Sequence, residues 1–377
     1  MVRQGRKILY VASTFSHLSS FHQPYTDWLA AEGCTVHAAA GGTPRELTGV
    51  TRLVELPFEK KMGSPKNLTA VRQLAALLRE ERYDIISLHT SLAAFFGRLA
   101  VMLAGKGDTA VWNTVHGYLF DNNTPPVKRA VLLGAERLTA GVTDRVLTMN
   151  RQDLALAEKY RLGKEILSTP GMGMDLTRFS PPTEEERRRA REIFAIPPEA
   201  VVLVFAGEFS KRKNQKMLLE AMPLLPQNAW LLLPGKGEEW EACRAIAQNL
   251  GVDSRVVFPG FVSRVEDCYH CGDICVSASR IEGLPFHMGE AMSCGLPVVA
   301  SRIKGHEDLV ADGETGFLFP QGDKERFAAA VQELMPPAVR HAMGERARRQ
   351  VLPYGREAVF PQLAQLYMDR SMAKMPV

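Results

Sequence analysis

Two glutamates with seven residues between them, Glu282 and Glu290, flank the turn Gly283-Leu284-Pro285. A carboxylate accepts two hydrogen bonds from a vicinal diol, so Glu290 on a helix suits a hydroxyl-rich ligand. The Gly-Leu-Pro turn ends a strand and opens a helix, whose first N–H groups form a seat for phosphate. After the helix, Gly295 and Pro297 stop it, and Leu296 to Ala300 reads as the next buried strand. In such a βαβ half-unit the ligand sits at the carboxyl ends of the strands. The stretch Ser279 to Ser301 therefore points to a ligand that carries both phosphate and sugar.

Other reactive side chains fall at strand ends. His116-Gly117-Tyr118 follows the strand Ala110 to Val115, where catalytic groups of α/β proteins gather. The loop Gly207-Glu-Phe-Ser-Lys-Arg-Lys-Asn214 follows the strand Val201 to Ala206 and brings an excess of base. The first loop, Ser13 to Ser20, carries hydroxyls and His17, with His22 just beyond. It lacks the Gly-x-Gly-x-x-Gly dinucleotide fingerprint, which counts against a dehydrogenase. Its serines read nearly as well as helix caps. Cys268-Tyr-His-Cys271 and Cys275 lack a second distant ligand pair, so no metal is expected on them.

These residues must be positioned by alternating strands and helices. About six strands are expected in the first half: Lys7 to Ala12, Thr35 to Ala40, Thr51 to Leu56, Asp84 to His89, Ala110 to Val115 and Arg145 to Asn150. Helices are expected at Phe21 to Glu32, Asn67 to Glu81, Leu92 to Leu103, Val127 to Leu138 and Gln152 to Tyr160. The fourth strand ends at a polar His-Thr-Ser cluster, and the helix from Val127 has a basic start and an apolar face. Leu167 to Pro182, rich in glycine and proline, reads as an interdomain crossing. Glu184 to Arg191 mixes acids and bases and reads as a solvated helix. A second αβ series follows, with Glu307 to Val310 and Gly316 to Phe319 ending its sheet. The last helix, Val359 to Asp369, is expected to fold back on the first domain. The fold class is α/β, with domains at 1–168 and 169–353 and a C-terminal helical segment at 354–377.

Composition narrows the function classes. A length of 377 residues favours two domains. A formal net charge of +4 is small for this length and, with no aromatic-basic motif, gives no sign of nucleic acid. The basic residues Lys60, Lys61, Lys66, Lys128 and Arg129 lie in the N-terminal half, where together they can face anionic headgroups, while any single one reads first as solvated surface charge. No apolar run reaches transmembrane length and no signal peptide is expected. Six cysteines without a framework pattern fit a reducing cytoplasm.

The chain resembles the family-4 glycosyltransferases of the GT-B fold. Four features of the C-terminal half carry the resemblance: the Glu-x7-Glu stretch, Gly207…Lys213-Asn214, Leu232-Leu-Pro-Gly-Lys-Gly237, and Gly173-Met-Asp175…Arg178-Phe179. The N-terminal half adds Ser16-His17…Phe21-His22-x-Pro24, His116-Gly117 and Thr143-Asp144-x-Val-Leu147. The combination is similar to the branch that builds capsular and exopolysaccharide repeats.

The resemblance implies two Rossmann-like domains facing across a cleft, an acceptor-binding first domain and a nucleotide-sugar-binding second one. It implies transfer of a hexosyl or N-acetylhexosaminyl group, with retention at the anomeric carbon, from a nucleotide sugar, a UDP-sugar by preference. The acceptor would be a polyprenyl-diphosphate-linked or other saccharide at the inner face of the cell membrane, with the enzyme cytoplasmic and peripheral. Glu290 would hold the ribose and Glu282 the donor sugar. The backbone at Leu284, Pro285 and Phe286 would hold the diphosphate or sugar, and Phe261 marks where the backbone reads the base. Lys213 would neutralise the departing diphosphate beside Gly207, so no metal cofactor is required. Family members carry arginine where Glu208 stands, and Lys211 or Arg212 would supply that charge. His116 would polarise a hydroxyl or support the leaving phosphate, with Ser16, His17 and His22 on the acceptor side. A nucleotide-sugar 2-epimerase and a non-catalytic sugar-nucleotide-binding subunit are the alternatives.

Overall fold

A computed structural model describes residues 5–121 and 124–369. The chain divides into two compact units, one running to Met172 and resuming at Val359, the other spanning Gly173–Ala358.

The first unit holds a parallel sheet of seven strands: β1 (Lys7–Ala12), β2 (Thr35–Ala40), β3 (Arg52–Glu55), β4 (Ile85–His89), β5 (Ala110–Val115), β6 (Arg145–Thr148) and β7 (Glu165–Ser168). Their spatial order is β3-β2-β1-β4-β5-β6-β7. Helices cover both faces, so the central strands read as unbroken apolar runs rather than alternating ones. The run Ile8 to Ala12 is at most 1% exposed. Register places Ile8 opposite both Val36 and Ile85. The order reverses direction between β1 and β4, and the loops leaving those two strands diverge to make a crevice.

The second unit repeats the plan with β8 (Val201–Val204), β9 (Ala229–Pro234), β10 (Val256–Gly260), β11 (Ile274–Ser277), β12 (Val298–Ser301) and β13 (Gly316–Phe319). Their order is β10-β9-β8-β11-β12-β13, and the switch lies between β8 and β11. Gly235 sits at φ +141°, and a Cβ there would fall 1.9 Å from the Gly207 carbonyl oxygen, so the loops after β8 and β9 pack backbone to backbone. The segment from Val359 belongs to the first unit. Its Tyr367 lies against Trp112 with ring centroids 4.7 Å apart, and Phe360 stacks on Tyr25 at 5.0 Å.

Several elements differ from the sequence expectations. The hydroxyl-rich segment after β1 is a helix, Phe15–Phe21, capped by the Thr14 side chain. The expected helix from Phe21 is instead Gln23–Ala31, with His22 at the break. Serines disfavour helix interiors, but the Thr14 cap and the burial of Phe15 and Leu18 outweigh that preference. A seventh strand, β7, occupies the start of the expected crossing, where its charged Glu165 ion-pairs with Arg145. Residues expected as a strand at Glu307 to Val310 form the helix His306–Leu309, entered through Gly305 at φ +79°. The helix Glu184–Ile193 is not wholly solvated. Arg187 and Arg191 reach Asp273 at 2.7 and 2.9 Å, which ties the helix to the sheet.

Candidate functional site

In the second unit the loops leaving β8 and β11 meet at the switch point. Asn214 adopts a left-handed φ of +55° and donates from Nδ2 to the Ala278 carbonyl at 3.3 Å. The Arg280 amide donates to the Arg212 carbonyl at 2.8 Å, so the two loops are laced together. This lacing brings Lys213 Nζ to 2.7 Å from Glu282 Oε1, and Arg212 Nη1 to 2.8 Å from Oε2. Both Glu282 and Lys213 are 8% exposed. Burial pushes the Glu282 carboxyl up, but Lys213 and then Arg212 overcome it and hold the group well below the usual carboxylate range. Glu282 therefore stays ionised and binds two cations, leaving one net positive charge in the cluster.

Glu208 is exposed, and Arg212 already bonds the Ile281 carbonyl as well as Glu282. Lys211 is exposed and lines, with Ser210, Asn214, Lys216 and Arg280, a cavity of about 240 Å³. A Cβ on Gly207 would meet Lys213 Cε at 3.6 Å, so the ammonium stem lies along the Gly207 backbone.

The helix Phe286–Ser293 opens at Pro285, with Leu284 8% exposed just before it. Glu290, on its second turn, accepts a hydrogen bond from the Tyr269 hydroxyl at 2.9 Å. Burial raises its carboxyl to about 6, against the lowering effect of that bond. Phe261 is 77% exposed and is not core, so its ring is available to a flat ligand. Two histidines that the sequence gave no role lie in the same region. His287 is buried against Phe205, ring centroids 5.1 Å apart, and burial keeps it neutral. His306 donates from Nδ1 to the Ser301 carbonyl at 2.7 Å, leaving Nε2 toward the Ser277 hydroxyl at 3.4 Å. Gly305 precedes it, and a Cβ there would lie 2.4 Å from the Gly283 carbonyl oxygen, so this loop backs the Glu282 turn.

In the first unit the switch point holds four histidines. His17 and His22 come from the segment after β1, His89 from the end of β4, and His116 from the end of β5. His17 Nε2 and His22 Nε2 are 3.4 Å apart, and His89 Nδ1 and His116 Nε2 are 3.3 Å apart. The His22 and His89 ring centroids are separated by 3.9 Å. His89 continues through Nε2 to the Ser87 hydroxyl at 2.9 Å, and Ser87 to the Tyr367 hydroxyl at 2.7 Å. Burial pushes His17 down to about 4 and His22, His89 and His116 well below their ordinary value, so all four are neutral at pH 7. Thr90, directly after His89, holds φ +66°, a strained conformation for a β-branched residue, and its hydroxyl accepts from the Ser13 amide at 3.1 Å. His89 was legible only as part of a polar strand end. Ser16 lies on the exposed side of its helix, bonded to the Thr14 hydroxyl at 3.0 Å.

Residues 200–336 match the family described as Glycosyl transferases group 1, and residues 23–165 match the Glycosyl transferase 4-like domain. The chain is 30% identical over 367 residues to the "Putative glycosyltransferase EpsD" of Bacillus subtilis (strain 168), covering 96% of each chain. It is 26% identical over 296 residues to the UDP-Gal:alpha-D-GlcNAc-diphosphoundecaprenol alpha-1,3-galactosyltransferase of Escherichia coli, covering 76% of this chain and 75% of that one. Among solved structures, Anabaena Alr3699/HepE in complex with UDP and glucose superposes with a TM-score of 0.77 at 18% identity, covering 97% of this chain and 100% of that chain.

Proposed function

Because the chain belongs to the family-4 glycosyltransferases of the GT-B fold, we propose that it moves a sugar from a UDP-sugar to a lipid-linked saccharide acceptor in cell-surface polysaccharide synthesis. The observation that carries this reading is the buried Lys213–Glu282 pair, 2.7 Å apart, at the switch point of the second unit. A cation fixed there by an ionised carboxylate is preorganised for the charge that a departing diphosphate gains, and it needs no reorganisation in the transition state. Arg212 shares that task, with Glu282 as the anchor for both cations and a partner for the sugar's hydroxyls. Glu290 takes the ribose diol, Leu284 and Phe286 present backbone N–H groups, and Phe261 flanks the base. The countercharge comes from side chains, so the reaction needs no metal.

His116, neutral in the first unit, accepts a hydrogen bond from the acceptor hydroxyl, with Ser16, His17 and His22 beside it. The glycosidic C1–O bond to the diphosphate breaks as the acceptor oxygen bonds C1 on the same face. Attack from the face that the diphosphate leaves retains configuration, and the proton freed from the acceptor is taken up by the departing diphosphate. Work on the cytoplasmic face of the membrane is supported by the helix Pro126–Ala140. Its inner face is held by Glu136, whose Oε2 accepts from Arg98 at 2.8 Å. Its outer face exposes Val127, Val131 and Leu138 at 80%, 67% and 60%, beside Lys128 and Arg137. Apolar side chains flanked by bases suit an anionic lipid surface.

Product analysis tests the reaction type. With UDP-sugars and a polyprenyl-diphosphate-linked sugar, the expected product is an elongated lipid-linked saccharide plus UDP. A 2-epimer formed from donor alone would replace this reading with an epimerase, and UDP binding without turnover on any acceptor would replace it with a binding subunit.

A further inference from the structure

The histidines of the first unit have more binding capacity than a hydrogen-bonding role consumes. Among the described residues, His17, His22 and His116 form a group in which one ring nitrogen from each lies within 4.8 Å of the other two. Their contacts are with each other, with His89 and with aromatic rings. Tyr10 lies 5.7 Å from His22, and Phe21 lies 5.0 Å from His17. The facing Nε2 atoms of His17 and His22 can share only one proton between them. Nδ1 of His22 is buried with no hydrogen-bond partner. The group is thus a cluster of imidazoles with lone pairs to spare.

We propose that His17, His22 and His116 bind a first-row transition-metal ion of the Zn²⁺ class. Zinc–imidazole bonds of about 2.0–2.1 Å place two nitrogens of a tetrahedral site about 3.4 Å apart. The His17 and His22 Nε2 atoms already stand at 3.4 Å. His116 reaches the same ion by a small ring rotation that exchanges its contact with His89 for a metal bond. Three neutral nitrogens without a carboxylate suit Zn²⁺, Co²⁺, Ni²⁺ or Cu²⁺ and disfavour Mg²⁺ and Ca²⁺. His17 and His116 are partly exposed, so the ion has an entry path and its fourth position is open to water or a ligand oxygen.

This site lies in a different unit from the Lys213–Glu282 pair, and the proposed transfer does not use the ion. An occupied site would engage His116 and slow transfer. That consequence rests on the reading of His116 above, whereas occupancy can be read without turnover.

The test uses the untagged full chain, stripped with chelator and titrated with Co²⁺. The expected result is the visible d–d absorption of four-coordinate Co²⁺, saturating at one equivalent and bleached by Zn²⁺. His17→Ala abolishes the band while thermal melting shows the fold intact, and His22→Gln does the same as a second variant. No band in the wild type, or a band that survives in both variants, overturns the proposal. A thiolate-to-cobalt charge-transfer band also overturns it, because the ion would then sit on cysteine.

Discussion

Glu290 gives the sharpest pH prediction. Burial sets its carboxyl at about 6 against an ordinary 4.5. The ionised form is the one that accepts both ribose hydroxyls, so affinity for the donor falls as pH drops through 6. At pH 5 about one-tenth of the carboxyl is ionised, against nearly all at pH 7.5, so the dissociation constant rises about tenfold, or about 1.4 kcal/mol. UDP-glucose is the right titrant in calorimetry, since its diphosphate is esterified at both ends and does not titrate here. Glu290→Gln removes the pH dependence and weakens binding by about tenfold to a hundredfold, the range for hydrogen bonds to a charged group. The stability effect has the opposite sign. With the folded pKa raised, the folded state binds the proton more tightly, so stability falls as pH rises from 4.5 to 6 and stays low above it. Glu290→Gln removes that penalty of at most about 2 kcal/mol, and the second unit melts up to about 4–8 °C higher at pH 7.5. A flat affinity between pH 5 and 7.5, or a variant that both melts lower and binds as wild type, would refute the reasoning.

Four further outcomes follow from the structure. Lys213→Ala lowers kcat about 10²- to 10³-fold, as loss of a fixed charge at a developing anion does, with a smaller change in KM; UDP release in a coupled assay measures it. Glu282→Gln leaves Lys213 buried without its carboxylate and destabilises the second unit by about 3–5 kcal/mol, read as a fall in melting temperature. The stability that Glu282 contributes is complete above the ordinary carboxylate range and is lost progressively as pH falls from that range toward its depressed folded value. Val131→Asp, on the exposed face of the helix Pro126–Ala140, reduces co-flotation with vesicles containing anionic phospholipid while leaving turnover on a soluble acceptor unchanged.

The α/β plan and the central stretch were legible because parallel strands read as apolar runs and because Gly, Pro and helix periodicity punctuate them. Glu282, Glu290 and the basic loop at Lys211 to Lys213 could be found from spacing after a strand. That Arg212 and Lys213 share one carboxylate could not, since it depends on the hydrogen bonds that lace the loops after β8 and β11. His287 stood inside the quoted stretch but carried no spacing signal. His89 and His306 acquire their partners only when distant strands align. The strand β7 was hidden by its brevity and by Glu165, whose charge is answered by Arg145 across the sheet. The helix Phe15–Phe21 was hidden by its serines, and the helix His306–Leu309 by a Leu-Val pair that looks like a strand end. Arg187 and Arg191 looked solvated because their partner, Asp273, lies more than eighty residues away.

The most direct test of the central claim is calorimetric titration of UDP, with GDP and ADP as controls, into the wild type and into a Glu290→Ala/Lys213→Ala double variant. The account predicts one equivalent of UDP bound by the wild type in preference to GDP and ADP, and no measurable binding by a double variant that remains folded. Undiminished UDP binding by that variant, or a wild type that binds none of the three nucleotides, would contradict it.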